Sequence, residues 1–188
     1  MDRDECKGDN GEFYLLKKVD EVKFVGIWGK GRVGKTTLSR AICEKCNHEC
    51  DFHCFLPSVR EDSETCGLSS LQRKILPHLR KENKEIEDTF IVRKTIKNHF
   101  RNKKVLLILD DVSSINQLES LAGSMEWFGA GSRVIITTRD VNLLRLHHVD
   151  SIYEVNTMNE DESLQLFRLK AFTRDQAADE QGLLEKSK

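Results

Sequence analysis

The stretch Gly29-Lys30-Gly31-Arg32-Val33-Gly34-Lys35-Thr36 sets two glycines, a lysine and a hydroxyl in the pattern G-x-x-x-x-G-K-[ST], with a further glycine at Gly31. Such a loop is built to cradle phosphate. Backbone N–H groups of the turn and of the following helix point at the oxygens, and the missing side chains let them approach. Lys35 supplies a point charge for the β- and γ-phosphates of a nucleotide. The Thr36 hydroxyl suits Mg2+, a hard cation that takes one or two protein oxygens beside phosphate and water. Gly29, Gly31, Val33, Gly34, Lys35, Thr36 and Thr37 therefore form the candidate nucleotide-binding stretch. Arg32 puts a Cβ and a long cation into the same loop, where it limits positive-φ conformations and either adds phosphate attraction or crowds the site.

Two further clusters carry chemistry. The run Val105-Leu106-Leu107-Ile108-Leu109-Asp110-Asp111 ends an apolar strand in paired carboxylates, which a phosphate-binding protein uses to hold Mg2+ and orient water. Asp110 is the candidate metal residue with Thr36, and Asp111 the candidate catalytic residue that polarises the attacking water. Taken alone, the pair reads more simply as a cap before Ser113; the glycine loop upstream reverses that preference. In Gly131–Arg139 a second apolar strand emerges into Thr137, Thr138 and a guanidinium. Arg139 is a candidate sensor of a terminal phosphate, with pairing to Asp140 or a solvated strand end as its plain structural alternatives.

The elements that must position these groups are legible as apolar runs between polar turns. Strands are predicted at Val22–Ile27, Phe52–Leu56, Val105–Leu109, Val134–Thr137 and Ile152–Val155, short and rich in Val, Ile or Leu, as in strands buried on both faces. Helical spacing appears at Thr36–Cys46, Leu68–Arg80, Thr89–Asn102, Ile115–Ala122, Val141–His147 and Glu160–Phe172. Strands alternating with helices predict an α/β fold of three layers around a parallel sheet. Pro77 should kink or stop the second helix near Leu76, and the charged Arg80–Asp88 reads as a solvated connection. Residues 1–18 read as a lead-in, 19–172 as one globular domain, and 173–188 as a tail or the start of a further element.

Composition bounds the rest. The 188 residues suffice for one sizeable core, and 30 basic against 31 acidic side chains leave a net charge of −1. No global field recruits nucleic acid or an anionic membrane, so an anion must be captured locally. No apolar run approaches the roughly 20 residues that span a bilayer, and the start of the chain has no apolar targeting segment; the chain reads as soluble and intracellular. Six cysteines occur, and Cys43, Cys46, Cys50 and Cys54 lie near His48 and His53. Zinc is disfavoured because Cys43 and Cys46 fall on a predicted helix and Cys54 in a predicted strand; free thiols are the simpler reading.

Together, Val25–Leu38, Leu106–Val112 and Gly131–Arg139 resemble the NB-ARC domain of plant TIR-NBS-LRR disease-resistance proteins. The blocks Phe52–Glu61, Gly67–Gln72, Trp127–Gly129 and Tyr153–Phe167 resemble the family's intervening segments in the same order, so the likeness covers residues 20–172. The resemblance implies a P-loop NTPase fold with a five-stranded parallel sheet in the order 5-1-4-3-2. It also implies ADP in a resting state and ATP in an active one, within a receptor that signals in plant defence. Lys35 and Thr36 carry over as phosphate and Mg2+ ligands, Asp110 as the Mg2+ aspartate, Asp111 as the hydrolytic aspartate and Arg139 as the γ-phosphate sensor. Arg32 departs from a usual glycine, and Ser113 stands where a third aspartate is usual. The family's GLPL and MHD motifs, a leucine-rich repeat and a TIR domain are not found, so the chain is expected to be part of a larger receptor. Its expected partners are adenine nucleotide, other receptor domains and chaperones, in the cytoplasm or, secondarily, the nucleus.

Three functions remain open at this point: a switch with at most slow ATP hydrolysis, another P-loop enzyme, and a non-hydrolysing interaction module. Guanine specificity needs N-K-x-D, and Asn83-Lys84-Glu85-Ile86 lacks the aspartate. No acceptor pocket or arginine-bearing lid of a small-molecule kinase is legible.

Overall fold

The computed structural model describes residues 20–76, 89–168 and 171. The lead-in at 1–18, Val19, Pro77, the connection at 80–88 and the tail at 173–188 lie outside the described residues. The chain divides into two compact units, Met1–Val155 and Asn156–Lys188. In the first unit the order is β1 (Lys23–Trp28), α1 (Lys35–Cys46), β2 (Phe52–Leu56), α2 (Val59–Ile75), α3 (Thr89–Phe100), β3 (Val105–Val112), α4 (Ile115–Ala122), β4 (Arg133–Thr138), α5 (Val141–Leu146) and β5 (Ser151–Glu154). The second unit contains a helix at 160–168, whose first turn is capped reciprocally by Asn159 and Glu162.

All four strand pairings are parallel, and the sheet order is β2-β3-β4-β1-β5, the order expected from the resemblance. The alternation along β3 shows why its sequence is apolar without a break. Val105, Leu107 and Leu109 face one cluster with Phe24, Leu71, Ile96 and Leu118, while Leu106 and Ile108 face a second with Ile27, Ile42 and Ile135. Helix α1 covers the second face; α2 to α5 cover the first. This is the three-layer arrangement, and it carries the loops after β1, β3 and β4 to one end of the sheet, where binding sites of open parallel sheets form.

Several boundaries differ from the sequence reading. Strand β3 does not end at Leu109 but runs through both carboxylates to Val112, with a register shift against β4 between Leu109 and Val112. Helix α2 begins at Val59, well before Leu68, and breaks at Gly67 (φ 74, ψ 164) before ending at Ile75. Its first half, Val59–Cys66, carries little apolar periodicity and was not anticipated. The expected stop near Leu76 is where the helix ends.

Cys43 and Cys46 lie on α1 and Cys54 on β2, as their spacing suggested. The described cysteines are free thiols. Burial pushes the Cys54 thiol up to about 11, which makes it a poor nucleophile at neutral pH. Among the described residues, no helix is long and apolar enough to cross a membrane.

Candidate functional site

The loop after β1 turns through left-handed backbone. Gly34, at φ 101, is the residue before α1, and no side chain caps that helix. Its first N–H groups are therefore available to an anion at the positive end of the helix dipole. Gly29 is required for a second reason: a Cβ there would lie 2.6 Å from the carbonyl oxygen of Val155, which itself accepts no such intrusion because β5 brings it alongside β1. Arg32 occupies the left-handed region at φ 64 and is exposed.

Lys35 is the buried member of the loop. Its side chain folds back so that Nζ donates to the carbonyls of Gly29 at 2.9 Å and Lys30 at 2.7 Å, stapling the turn from inside. Burial and the nearby Arg139 guanidinium lower its pKa, against the opposing pull of Asp111 and Asp110. Thr36, one residue on, faces β3: its Oγ1 lies 3.0 and 2.9 Å from the two carboxylate oxygens of Asp110. The Thr137 hydroxyl of β4 donates to Asp110 Oδ1 at 2.7 Å and accepts the Asp111 N–H at 2.9 Å.

Asp111 sits in the left-handed region at φ 58 inside the β3–β4 irregularity. This local rotation, rather than a position beyond the strand end, brings its carboxylate to the same cavity as Asp110. Two arginines hold it. Arg60, on the first turn of α2, donates through Nε at 3.0 Å and Nη2 at 2.9 Å to Oδ2, while Nε of Arg139 lies 3.3 Å from Oδ1. Arg139 thus pairs with Asp111 and not with Asp140, whose carboxylate instead caps α5 by accepting the Asn142 N–H. Ser113 is the residue where a third aspartate is usual; its N–H donates to Gln117, and Ser114 and Gln117 form the capping box of α4.

These groups line one cavity of about 430 Å3, a size that suits a small-molecule ligand. Its walls include Gly34, Lys35, Thr36, Thr37, Asp110, Asp111 and Arg139, all singled out from sequence, and Arg32. Gly29, Gly31 and Val33 shape the loop without being among the lining residues. Ser58, Arg60, Glu61 and Thr137 also line it and had not been assigned a role. Arg60 lies in the block Phe52–Glu61 that carried part of the resemblance, which was the one available pointer to it. Four cations, Arg32, Lys35, Arg60 and Arg139, face three carboxylates, Glu61, Asp110 and Asp111. A nearly neutral protein thereby gains a local excess of positive charge where helix α1 also presents its N–H groups.

The donor set fits a magnesium nucleotide. Asp110, only 3% exposed, and the Thr36 hydroxyl place hard oxygen ligands together, and the uncapped helix end and Lys35 face the same space.

Comparison with known proteins agrees with this geometry. The NB-ARC domain family matches residues 13–177. TMV resistance protein N of Nicotiana glutinosa is 39% identical over 164 residues, 84% of this chain and 14% of that protein. Disease resistance protein RRS1B of Arabidopsis thaliana is 39% identical over 176 residues, 94% of this chain and 12% of that protein. Disease resistance protein RUN1 of Vitis rotundifolia is 38% identical over 163 residues, 86% of this chain and 12% of that protein. The chain thus spans no more than 14% of the length of these relatives. With the loop, the acidic strand and the arginine strand end all in one cavity, and with these matches across most of its length, the chain belongs to the NB-ARC domain family of plant disease-resistance proteins.

Proposed function

We propose that this chain is the adenine-nucleotide-binding core of a plant immune-receptor switch, holding ADP or ATP with Mg2+ in the cavity beside α1. The observation that carries the reading is the convergence of the uncapped α1 terminus, Lys35, the Thr36–Asp110 pair and Arg139 on one space. Residues 19–172 form the nucleotide-binding subdomain in this reading, and other receptor domains respond to which nucleotide is bound.

Each residue has a physical task. The α1 N–H groups and Lys35 meet the phosphates; Lys35 stays close by because Gly29 and Lys30 already hold its amino group. Thr36 and Asp110 hold the cation, which when bound neutralises phosphate charge. Thr137 keeps the Asp110 carboxylate turned toward Thr36. Asp111 orients water, but both of its oxygens already face guanidinium groups. A carboxylate whose two oxygens are already engaged must give up a guanidinium contact to accept a water, which favours slow hydrolysis suited to resetting a switch rather than driving metabolism.

Titration of the purified chain with fluorescent ADP and ATP, with and without Mg2+ and beside Lys35→Ala, tests the proposal. Saturable binding that strengthens with Mg2+ and is lost in the folded Lys35→Ala variant is expected. Absence of binding by the folded wild-type chain would sink the nucleotide reading and leave an interaction module as the better account.

A further inference from the structure

Arg60 enters the site from an element that no phosphate motif marks. It stands on the first turn of α2, beside Ser58, whose left-handed φ of 48 turns the chain from β2 into the helix. From there Nε and Nη2 both reach Asp111 Oδ2, at 3.0 and 2.9 Å, so the fork of the guanidinium is committed to one carboxylate oxygen. Arg139 approaches the other oxygen with its Nε at 3.3 Å, and its side chain is 57% exposed. Its Nη1 lies 3.7 Å from where a Cβ on Gly31 would stand, so this guanidinium also lies against the phosphate loop.

The two arginines therefore differ in what they can release. Arg139 is held at a longer distance than Arg60 and already lies beside the loop, so an anion there competes with Asp111 for it. Drawn to a phosphate, Arg139 would leave Asp111 facing a like charge with its neutralising partner reduced. Arg60 approaches from the opposite oxygen and remains. Its backbone is independently seated: Val59 is fully buried, and the Ser63 hydroxyl accepts from the Gln117 amide at 2.7 Å.

We propose that Arg60 is the positioning residue that keeps Asp111 oriented and neutralised when a terminal phosphate takes Arg139, and that it thereby sets the preference of the pocket for nucleoside triphosphate over diphosphate. The inference rests on the nucleotide reading above and adds to it a residue and a specificity. A diphosphate, which ends short of the third phosphate position, does not require the exchange of Arg139 and so depends little on Arg60.

The test measures affinities of the full chain for ADP and for a non-hydrolysable ATP analogue at fixed Mg2+, in wild type, Arg60→Ala, Asp111→Asn and the double variant. Arg60→Ala should weaken the analogue by about tenfold, the scale of a like-charge contact in a partly wet site, and ADP by less than about twofold. Adding Asp111→Asn removes the unshielded charge and should restore the analogue; a merely structural Arg60 would show no such rescue. Arg60→Lys keeps the charge without the fork and should show a smaller, analogue-selective loss, which carries the test if thermal melting shows that Arg60→Ala is unfolded. Equal losses for both nucleotides, an unchanged analogue affinity, or no rescue would overturn the role of Arg60 while ADP binding by the wild-type chain still stands. A wild-type chain that binds neither nucleotide removes the nucleotide reading, and this inference with it.

Discussion

Thr137 and Asp110 are joined by a hydrogen bond of 2.7 Å between adjacent strands, and the same hydroxyl accepts the Asp111 N–H at 2.9 Å. One oxygen thus replaces a ladder bond that the irregularity between Leu109 and Val112 interrupts, and it fixes the direction of the buried carboxylate as well. Removing it leaves a backbone N–H short of its acceptor and a 3%-exposed carboxylate short of a donor.

Thr137→Val, similar in shape, should therefore lower stability by about 1–3 kcal/mol, the range for stranding buried polar groups. Thr137→Ser keeps the hydroxyl and should lose less than half of that. Urea unfolding of the three proteins checks this; a Thr137→Val midpoint equal to wild type would mean that water or another donor replaces the hydroxyl. Mg2+-dependent nucleotide binding should weaken in Thr137→Val as well, because Asp110 is no longer aimed at Thr36.

Arg32 offers the opposite sign. Its φ of 64 is a conformation that costs an L-residue with a Cβ roughly 1–2 kcal/mol, whereas glycine adopts it freely and loses about 0.5–1 kcal/mol through the freedom of its unfolded chain. The first effect is larger, so Arg32→Gly should stabilise the chain by about 0.5–1 kcal/mol. The comparison of thermal melts without nucleotide isolates this backbone effect from any charge that Arg32 contributes to the cavity. A lower melting temperature for Arg32→Gly would show that contacts of the arginine outweigh its strain.

The glycine loop and the parallel three-layer class were legible because each depends on local signals, glycines at fixed spacing and apolar runs alternating with helical ones, whereas the strand order came only from the family resemblance. The Asp110–Asp111 pair was legible as chemistry but not as geometry. Two carboxylates after Leu109 look like a strand end, yet Thr137 satisfies the Asp111 N–H and lets β3 continue through them. Arg60 was not legible as a site residue. The segment Val59–Cys66 is almost wholly polar, and only its long-range contacts, Val59 in the core, Arg60 on Asp111 and Ser63 on Gln117, give it a reason to be helical where it is. Such contacts join residues about 50 positions apart, beyond the reach of periodicity.

His147 supplies a pH test of how α5 is fastened to the sheet. Its ring stacks on Phe24 of β1 with centroids 5.5 Å apart, and Nε2 lies 3.0 Å from the Ala122 carbonyl, to which a ring N–H donates. Burial holds its pKa below the ordinary 6.5, with the Ala122 carbonyl and Glu119 opposing. The native ring is therefore neutral at pH values where the unfolded chain has already taken a proton. Unfolding then binds protons, so stability rises with pH across that interval. The contribution is complete above 6.5 and is lost as pH falls through the lowered native value. Urea midpoints measured from pH 8 down to pH 5 should fall more steeply below 6.5 in wild type than in His147→Gln, which keeps an N–H donor but does not titrate. Carboxylate contributions are shared by the two proteins and cancel in the difference. Parallel curves would show that His147 has the same proton affinity folded and unfolded, and that its stacking on Phe24 does not shield it from water.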